Sequence, residues 1–504
     1  MSDSRADLDP ADWAEFRSQS HRMLDDMLDF LEHVRERPVW QPVPDAVKQR
    51  LAEPLPSAPT PLDRVYDEFR ELVLPYATGN IHPAFFGWVH GGGTPTGMLA
   101  EMLAGAMNAN LGGRDHAPVH VERQVIGWCR EIFGFPETAG GLLVTGTSLA
   151  NLIALLVART ARLGPAIRDV GLQAGQPGQL LVAYASAAAH SCVRRAMEMS
   201  GLGGAQLRIV PTESRLRRID VAAFARMVRE DRAAGLAPFF AVGTAGTVDT
   251  GAVDDLAALA DLCAGEDLWF HVDGAFGALA MLSPALRPLL RGIERADSLA
   301  FDFHKWGQVP YDAGCILVRD GTLQRQTFAA EPAYLARAER GLGGGAPWFC
   351  DFGPDLSRGF RALKVWFTFK EHGAGAIGAT IEKTCRLARR LEARIAAAAP
   401  ELELMAPVTL NVVCFRYRGG RPDDGAAAAA ALDALNREIV ADAQEAGIAA
   451  PSTTVLDGRL AIRAAIVNHR STDADIDRLV DFVLARGPVR AAAITEETRI
   501  GDLG

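Results

Sequence analysis

The chain has 504 residues, 49% of them hydrophobic and 23% charged, with a formal net charge of −10. This length calls for two or three domains around a large core, and the mixture excludes a disordered or fibrous chain. The acidic balance excludes a nucleic-acid partner, because phosphate binding needs a concentrated basic surface.

Residues 1–30 carry acids throughout and no continuous apolar segment, so neither a secretory signal nor a transit peptide is readable and a cytoplasmic location is expected. Residues 11–36 place Trp13, Phe16, Met23, Met27, Phe30, Leu31 and Val34 at helical spacing. The proline-rich stretch 38–61 reads as an extended connector. Residues 1–80 are therefore an N-terminal helical arm that packs on something else.

From 81 to 375, short apolar runs alternate with helical segments: GLLVT, QLLVAYA, QLRIV, PFFAVGTAGT, LWFHVDGAFG, SLAFDF and AGCILVR. Such a pattern predicts a large α/β domain built on a mainly parallel sheet covered on both faces. Residues 376–400 form a long helix, followed by half-exposed strands with helices between them, so 376–487 is a small C-terminal α+β domain. The tail, 488–504, is expected to be loosely held. Charge-free stretches at 72–100, 138–158 and 170–192 are interrupted by glycines and by polar residues or prolines, which argues against membrane spans. The seven cysteines show no CxxC spacing, so reduced thiols are expected rather than a disulfide framework or a metal site.

Four segments carry chemistry. In HVDGAFG (271–277), Asp273 ends an apolar strand, where open α/β sheets bind ligands, although such an acid also serves as a helix cap. In SLAFDFHKWGQVPYDAG (298–314), a second strand delivers His304, Lys305 and Trp306 into a loop; alone, a loop lysine is a solvated charge. About one strand–helix–strand unit separates Asp273 from Lys305, so two neighbouring strand ends can converge on one ligand. A pyridoxal cofactor needs a lysine at one edge of its ring and a carboxylate at the opposite ring nitrogen, the lysine working best with its pKa lowered by burial and positive neighbours. In GGLLVTGTSLANLIALL (140–156), Thr147, Ser148 and Asn151 lie at a helix amino terminus that suits a phosphate or simply an N-cap. In SAAAHSCVRRA (186–196), His190 opens a helix, as a cap or as a ring that stacks on a pyridine.

With HPAFF (82–86), TAGTVDTGAVDD (244–255), SRGFRALKVWF (357–367) and IVNHRST (466–472), these motifs occur in an order that resembles the group II pyridoxal-phosphate decarboxylases, a family that includes aromatic-L-amino-acid, glutamate and histidine decarboxylases. The resemblance implies a fold-type-I architecture with pyridoxal 5′-phosphate bound covalently to Lys305, Asp273 at the pyridine nitrogen, His190 over the ring and Ala275 against its other face. It further implies that Thr147, Ser148, Ser298 and His304 hold the phosphate, that Thr247 lies near the reacting lysine, and that His82, Phe85 and Phe86 approach the substrate. A homodimer wrapped by the arm is implied as well. The activity implied is decarboxylation of an L-amino acid to its amine, with an aromatic substrate favoured by Phe85, Phe86 and Trp88 and acidic substrates as an alternative. A fold-type-I lyase or aminotransferase would share the Asp and Lys but lack the arm and HPAFF.

The loop before SRGFRALK departs from the family pattern. Relatives carry a tyrosine there that helps protonate the carbanion, whereas Phe349 or Phe352 stands at the equivalent position of this chain, depending on the gap. Relatives with phenylalanine resemble aldehyde synthases, in which oxygen intercepts the carbanion and the products are an aldehyde, ammonia and peroxide. Phe349 and Phe352 are accordingly candidate substrate residues, and an aldehyde product is the alternative outcome.

Overall fold

The computed structural model describes residues 8–172, 180–213, 216–330, 337–420 and 425–501. Twelve strands are described: β1 (Phe85–Phe86), β2 (Gly140–Val144), β3 (Leu181–Ser186), β4 (Leu207–Val210), β5 (Ala237–Thr244), β6 (Trp269–Asp273), β7 (Ser298–Asp302), β8 (Gly314–Val318), β9 (Leu402–Leu404), β10 (Val412–Tyr417), β11 (Ala450–Leu456) and β12 (Arg459–Ala465). The seven apolar runs read from the sequence form one sheet in the order β2-β8-β7-β6-β5-β3-β4. Its strands are parallel except β8, which runs against both β2 and β7. Every residue of β2, β3, β7 and β8 is buried, because helices cover both faces and leave no polar side to the alternation.

Register decides where chemistry can occur. Thr244 pairs with Asp273, and Asp273 pairs with Ala300, two residues before the end of β7. The carboxyl ends of β5, β6 and β7 therefore lie side by side and present Thr244, Asp273 and Asp302 along one edge, as open α/β sheets do for ligands. Arg358, from SRGFRALK, braces this sheet from the side. Its guanidinium donates to Glu122 Oε1 at 2.6 Å and to the Leu143 carbonyl at 2.6 Å, and Glu122 accepts the Leu143 N–H. The cost of burying such a pair is offset in part by these further hydrogen bonds to the Leu111 and Leu143 carbonyls.

The second sheet has the order β1-β11-β12-β10-β9. Here the expected boundaries shift. Phe85–Phe86, assigned above to the large domain, pairs in parallel with Ala450 and Pro451 of the small one. IVNHRST explains why: Asn468 Nδ2 donates to the carbonyls of Asn80 and His82, and Ser471 Oγ donates to that of Pro83 at 2.6 Å. The long helix starts at Arg361, well before residue 376, and is broken at Gly373 (φ 74°, ψ 155°). The described part of the tail expected to be loose, 488–501, is helical, since Asp473–Gly501 is one helix that continues past Pro488.

In the arm, Trp13–Glu32 is helical and is capped by Asp12, whose carboxylate accepts from the N–H groups of Ala14 and Glu15. None of its residues is buried, and Trp13 is 58% exposed. Its polar side meets the helix Leu62–Glu68 through Arg22–Asp67 and Tyr66–Asp26. The connector is not wholly extended, since Asp45–Arg50 forms a short helix. Val39 N–H donates to Gly447 and Arg35 pairs with Asp475 at 2.7 Å, which fastens the arm to the small domain of its own chain. No described helix is long and apolar enough to cross a membrane.

Candidate active site

The strand ends open into a cavity of about 600 Å³ between the two sheets. Lys305, Asp273, His190, Ala275, Thr147, Ser148 and His304 all line it. Gly91 lets the segment after β1 close one side: its N–H donates to the His304 carbonyl, and a Cβ there would lie 2.4 Å from that oxygen.

Lys305 follows β7 and turns back on it, so that Nζ lies 2.8 Å from Asp302 Oδ2. Burial pulls the Lys305 pKa down, but the attraction of Asp302, with Asp273 further off, outweighs it and the net shift is upward. This corrects the expectation of a lysine whose pKa is lowered by burial and positive neighbours: the neighbours are carboxylates, and they raise it. Asp302 was not singled out from the sequence, although an acid that closes an apolar strand three residues before Lys305 was a readable signal. Its other oxygen accepts the Thr147 N–H at 2.8 Å, at the amino terminus of the helix Thr147–Leu163. His304 Nδ1 accepts the Ala313 N–H, so the neutral ring carries its proton on Nε2, and burial pushes its pKa down to about 4. His190 Nδ1 accepts the Cys192 N–H at 3.2 Å, and the residue lines the cavity.

Asp273 Oδ1 accepts the Ala275 N–H at 3.1 Å and Oδ2 accepts Asn151 Nδ2 at 2.9 Å. Asn151 therefore serves the carboxylate and not a phosphate, because its helix carries it one turn below the cavity floor, where it is buried against β6. Ser298 is corrected too: it stands at the start of β7, a full strand away from the open edge, and its hydroxyl meets His271 Nδ1 and Trp269 Nε1, each at 2.8 Å. Thr247 is turned away into its own loop, where Oγ1 accepts the Ala252 N–H at 3.0 Å and meets Thr250; Thr244 lines the cavity instead.

None of the expected substrate residues reaches the cavity of this chain. His82, Phe85 and Phe86 are buried beneath the β1–β11 pairing, and Trp88, Val89 and His90 take the wall in their place. Phe85 stacks behind His90 with ring centroids 5.7 Å apart. Phe349 is buried under the Arg358 guanidinium, 5.1 Å from its ring, and Phe352 packs on the large core while its carbonyl accepts from Gln324. One phenol, Tyr311, lines the cavity; Tyr334 lies in 331–336, outside the described residues. Among the described residues no group of His, Cys, Asp and Glu could hold a metal ion.

Residues 44–418 match the model of the pyridoxal-dependent decarboxylase conserved domain. The chain belongs to the pyridoxal-dependent decarboxylase family. This decarboxylase is 34% identical over 491 residues to aromatic-L-amino-acid decarboxylase of Bacillus atrophaeus, with 96% of each chain covered. It is also 34% identical to histidine decarboxylase of Drosophila melanogaster, covering 81% of this chain and 49% of that protein. Among solved structures, that of Oryza sativa TDC with PLP and tryptamine superposes with a TM-score of 0.85 at 27% identity, covering 96% of this chain and 99% of that one.

The decarboxylase is thus a carboxy-lyase that acts on an amino acid with pyridoxal phosphate, on a fold-type-I scaffold. Its residues fit that cofactor. Thr147 Oγ1, at a helix amino terminus, and Thr244 Oγ1 are buried at the cavity with no hydrogen-bond partner among the described residues, as a site for a phosphate or another polar ligand group requires. A primary amine and a carboxylate share the same cavity.

Proposed function

We propose that this decarboxylase converts an aromatic L-amino acid to the corresponding amine and carbon dioxide. The observation that carries the reading is the aromatic wall: Trp88 and His90 stack at 5.9 Å, and His90 meets Tyr311 edge-on at 5.8 Å, all three on the cavity. Flat faces of this kind bind an aromatic side chain by offset or edge contacts. Acidic substrates are disfavoured by Asp249 in the same wall and by Arg463, which spends its guanidinium on the carbonyls of Trp88, Val248 and Asp249 and on Ser452.

When bound, pyridoxal phosphate supplies an electron sink for the electrons left by the departing carboxylate. Lys305 holds it covalently, Asp273 keeps a proton on its ring nitrogen, and His190 and Ala275 enclose the ring. Thr147, Ser148, Thr244 and His304 hold the phosphate, His304 through Nε2–H. Burial also keeps the Cys192 thiol protonated, its pKa pushed up to about 12, so it does not compete with Lys305 as a nucleophile. A second chain covers the exposed Trp13 and Phe16 of the arm and completes a homodimer. The aldehyde outcome is not favoured, because it rested on Phe349 and Phe352, which are structural.

Mass spectrometry after incubation with a pool of the twenty amino acids tests the reading. Tryptophan, tyrosine or phenylalanine is expected to yield its amine, with KM raised in Trp88→Ala and His90→Ala. Amine from glutamate or aspartate alone would overturn it.

A further inference from the structure

Alternation along β6 places Trp269, His271 and Asp273 on one face of the sheet, and register sets Ser298 of β7 directly beside His271. Asn151, from the helix above that face, bridges the two ends. The result is one unbroken chain of hydrogen bonds: Trp269 Nε1 to Ser298 Oγ at 2.8 Å, Ser298 Oγ to His271 Nδ1 at 2.8 Å, His271 Nε2 to Asn151 Oδ1 at 2.8 Å, and Asn151 Nδ2 to Asp273 Oδ2 at 2.9 Å. Ser298, His271, Asn151 and Asp273 are all at least nine-tenths buried.

Both ends of this chain have a fixed polarity. An ionised carboxylate can only accept, so Asn151 turns Nδ2 to Asp273 and Oδ1 to His271, whose Nε2 must carry the hydrogen; Nδ1 of the neutral ring then accepts from the Ser298 hydroxyl, which itself accepts from the indole N–H of Trp269. The Asn151 amide turns both its hydrogens away from His271, one to Asp273 and one to Cys192 Sγ at 3.1 Å. A flipped amide would set oxygen against carboxylate. Burial pushes His271 to about 3, which keeps the ring in the singly protonated form the chain requires.

We propose that Trp269, Ser298, His271 and Asn151 form a directional relay that aims the Asp273 carboxylate and strengthens its hold on a protonated ring nitrogen, with His271 and Asn151 as positioning residues. This rests on the pairing of Asp273 with that nitrogen. Removal of His271 frees the Asn151 amide to rotate, and the carboxylate loses an oriented, charge-assisted donor.

The test compares dissociation constants of the apoprotein, read by tryptophan fluorescence, for pyridoxal 5′-phosphate and for 1-deazapyridoxal 5′-phosphate, which lacks the ring nitrogen. The parent is expected to prefer the former. In His271→Leu and Asn151→Leu that preference is expected to fall by about tenfold, roughly the effect of one hydrogen bond to a charged group. Binding of the analogue should change little, and His271→Gln, which returns an N–H near the Nε2 position, should restore most of the preference. Equal weakening for both compounds would reduce the relay to a packing role and overturn the proposal. A parent without any preference would instead bring down the pairing of Asp273 with the nitrogen, and the relay's purpose with it. Independently of any variant, nitrogen-15 spectra of histidine-labelled apoprotein are expected to show His271 as the Nε2–H tautomer throughout neutral pH, and an Nδ1–H tautomer would refute the relay.

Discussion

Replacing Asp302 by Asn removes the charge that faces Lys305 while keeping an oxygen for the Thr147 N–H. At 2.8 Å, an effective dielectric of about 20 makes the Lys305–Asp302 attraction about 6 kcal/mol. Burial, which lowers the Lys305 pKa, is unchanged by the substitution, and Asp273 still raises it. The Lys305 pKa is therefore expected to fall. Only the unprotonated amine attacks an aldehyde, so near neutral pH the variant should capture pyridoxal phosphate at least about tenfold faster, since each pKa unit changes the free-amine fraction tenfold. The midpoint of the rate–pH curve should move to lower pH. Stopped-flow absorbance of apoprotein mixed with the cofactor measures both. The sign extends to stability: a raised folded pKa means that the ion pair contributes fully below the ordinary lysine value of 10.5 and is lost as pH rises through the folded value. The variant should therefore be less stable near neutral pH and lose less on going alkaline. Slower capture with an unmoved midpoint would refute this account, and Asp302 would then be the acceptor of the Lys305 proton and not its clamp.

Borohydride reduction of the holoprotein should trap the cofactor on a peptide containing Lys305 and nothing in Lys305→Ala; a label on another lysine would reassign the site. Asp273→Asn should retain pyridoxal phosphate but lose at least about a hundredfold in turnover, the scale of one misplaced electrostatic group, so a near-normal rate would make Asp273 a cap. With Phe349 buried and Phe352 packed on the core, Phe349→Tyr and Phe352→Tyr should leave peroxide per amine formed unchanged; peroxide suppressed by either tyrosine would restore the aldehyde reading. Deletion of residues 1–32 should weaken self-association in sedimentation measurements, because Trp13 and Phe16 leave with it, and an unaltered association constant would exclude the arm from the interface.

Much of this molecule is legible from short-range pattern. Seven apolar runs between helical segments determine a covered sheet, since a strand without a polar side must be buried on both faces. Asp273 and Lys305 were legible for the same local reason: each directly follows or ends an apolar strand, and strand ends are where such sheets bind ligands. Side chains whose role depends on a neighbour distant in sequence were not. TSLAN reads as a phosphate-binding turn, yet helix pitch carries Asn151 below the cavity, where only the position of β6 makes it a partner of Asp273. Ser298 looks like a polar group near the reactive lysine, but strand length puts it at the closed end of the sheet. HPAFF lies in sequence before the large domain and joins the small one, because its backbone finds an open edge at Ala450 and Pro451. Phe349 and Phe352 differ from a loop tyrosine only by a hydroxyl in the sequence, and packing against Arg358 and the core is what removes them from the chemistry. The sequence by itself determined which groups stand at strand ends, because that follows from periodicity and spacing. Only the tertiary structure decided which way each polar side chain donates and which aromatic ring faces the cavity, because both depend on contacts between segments far apart in the chain.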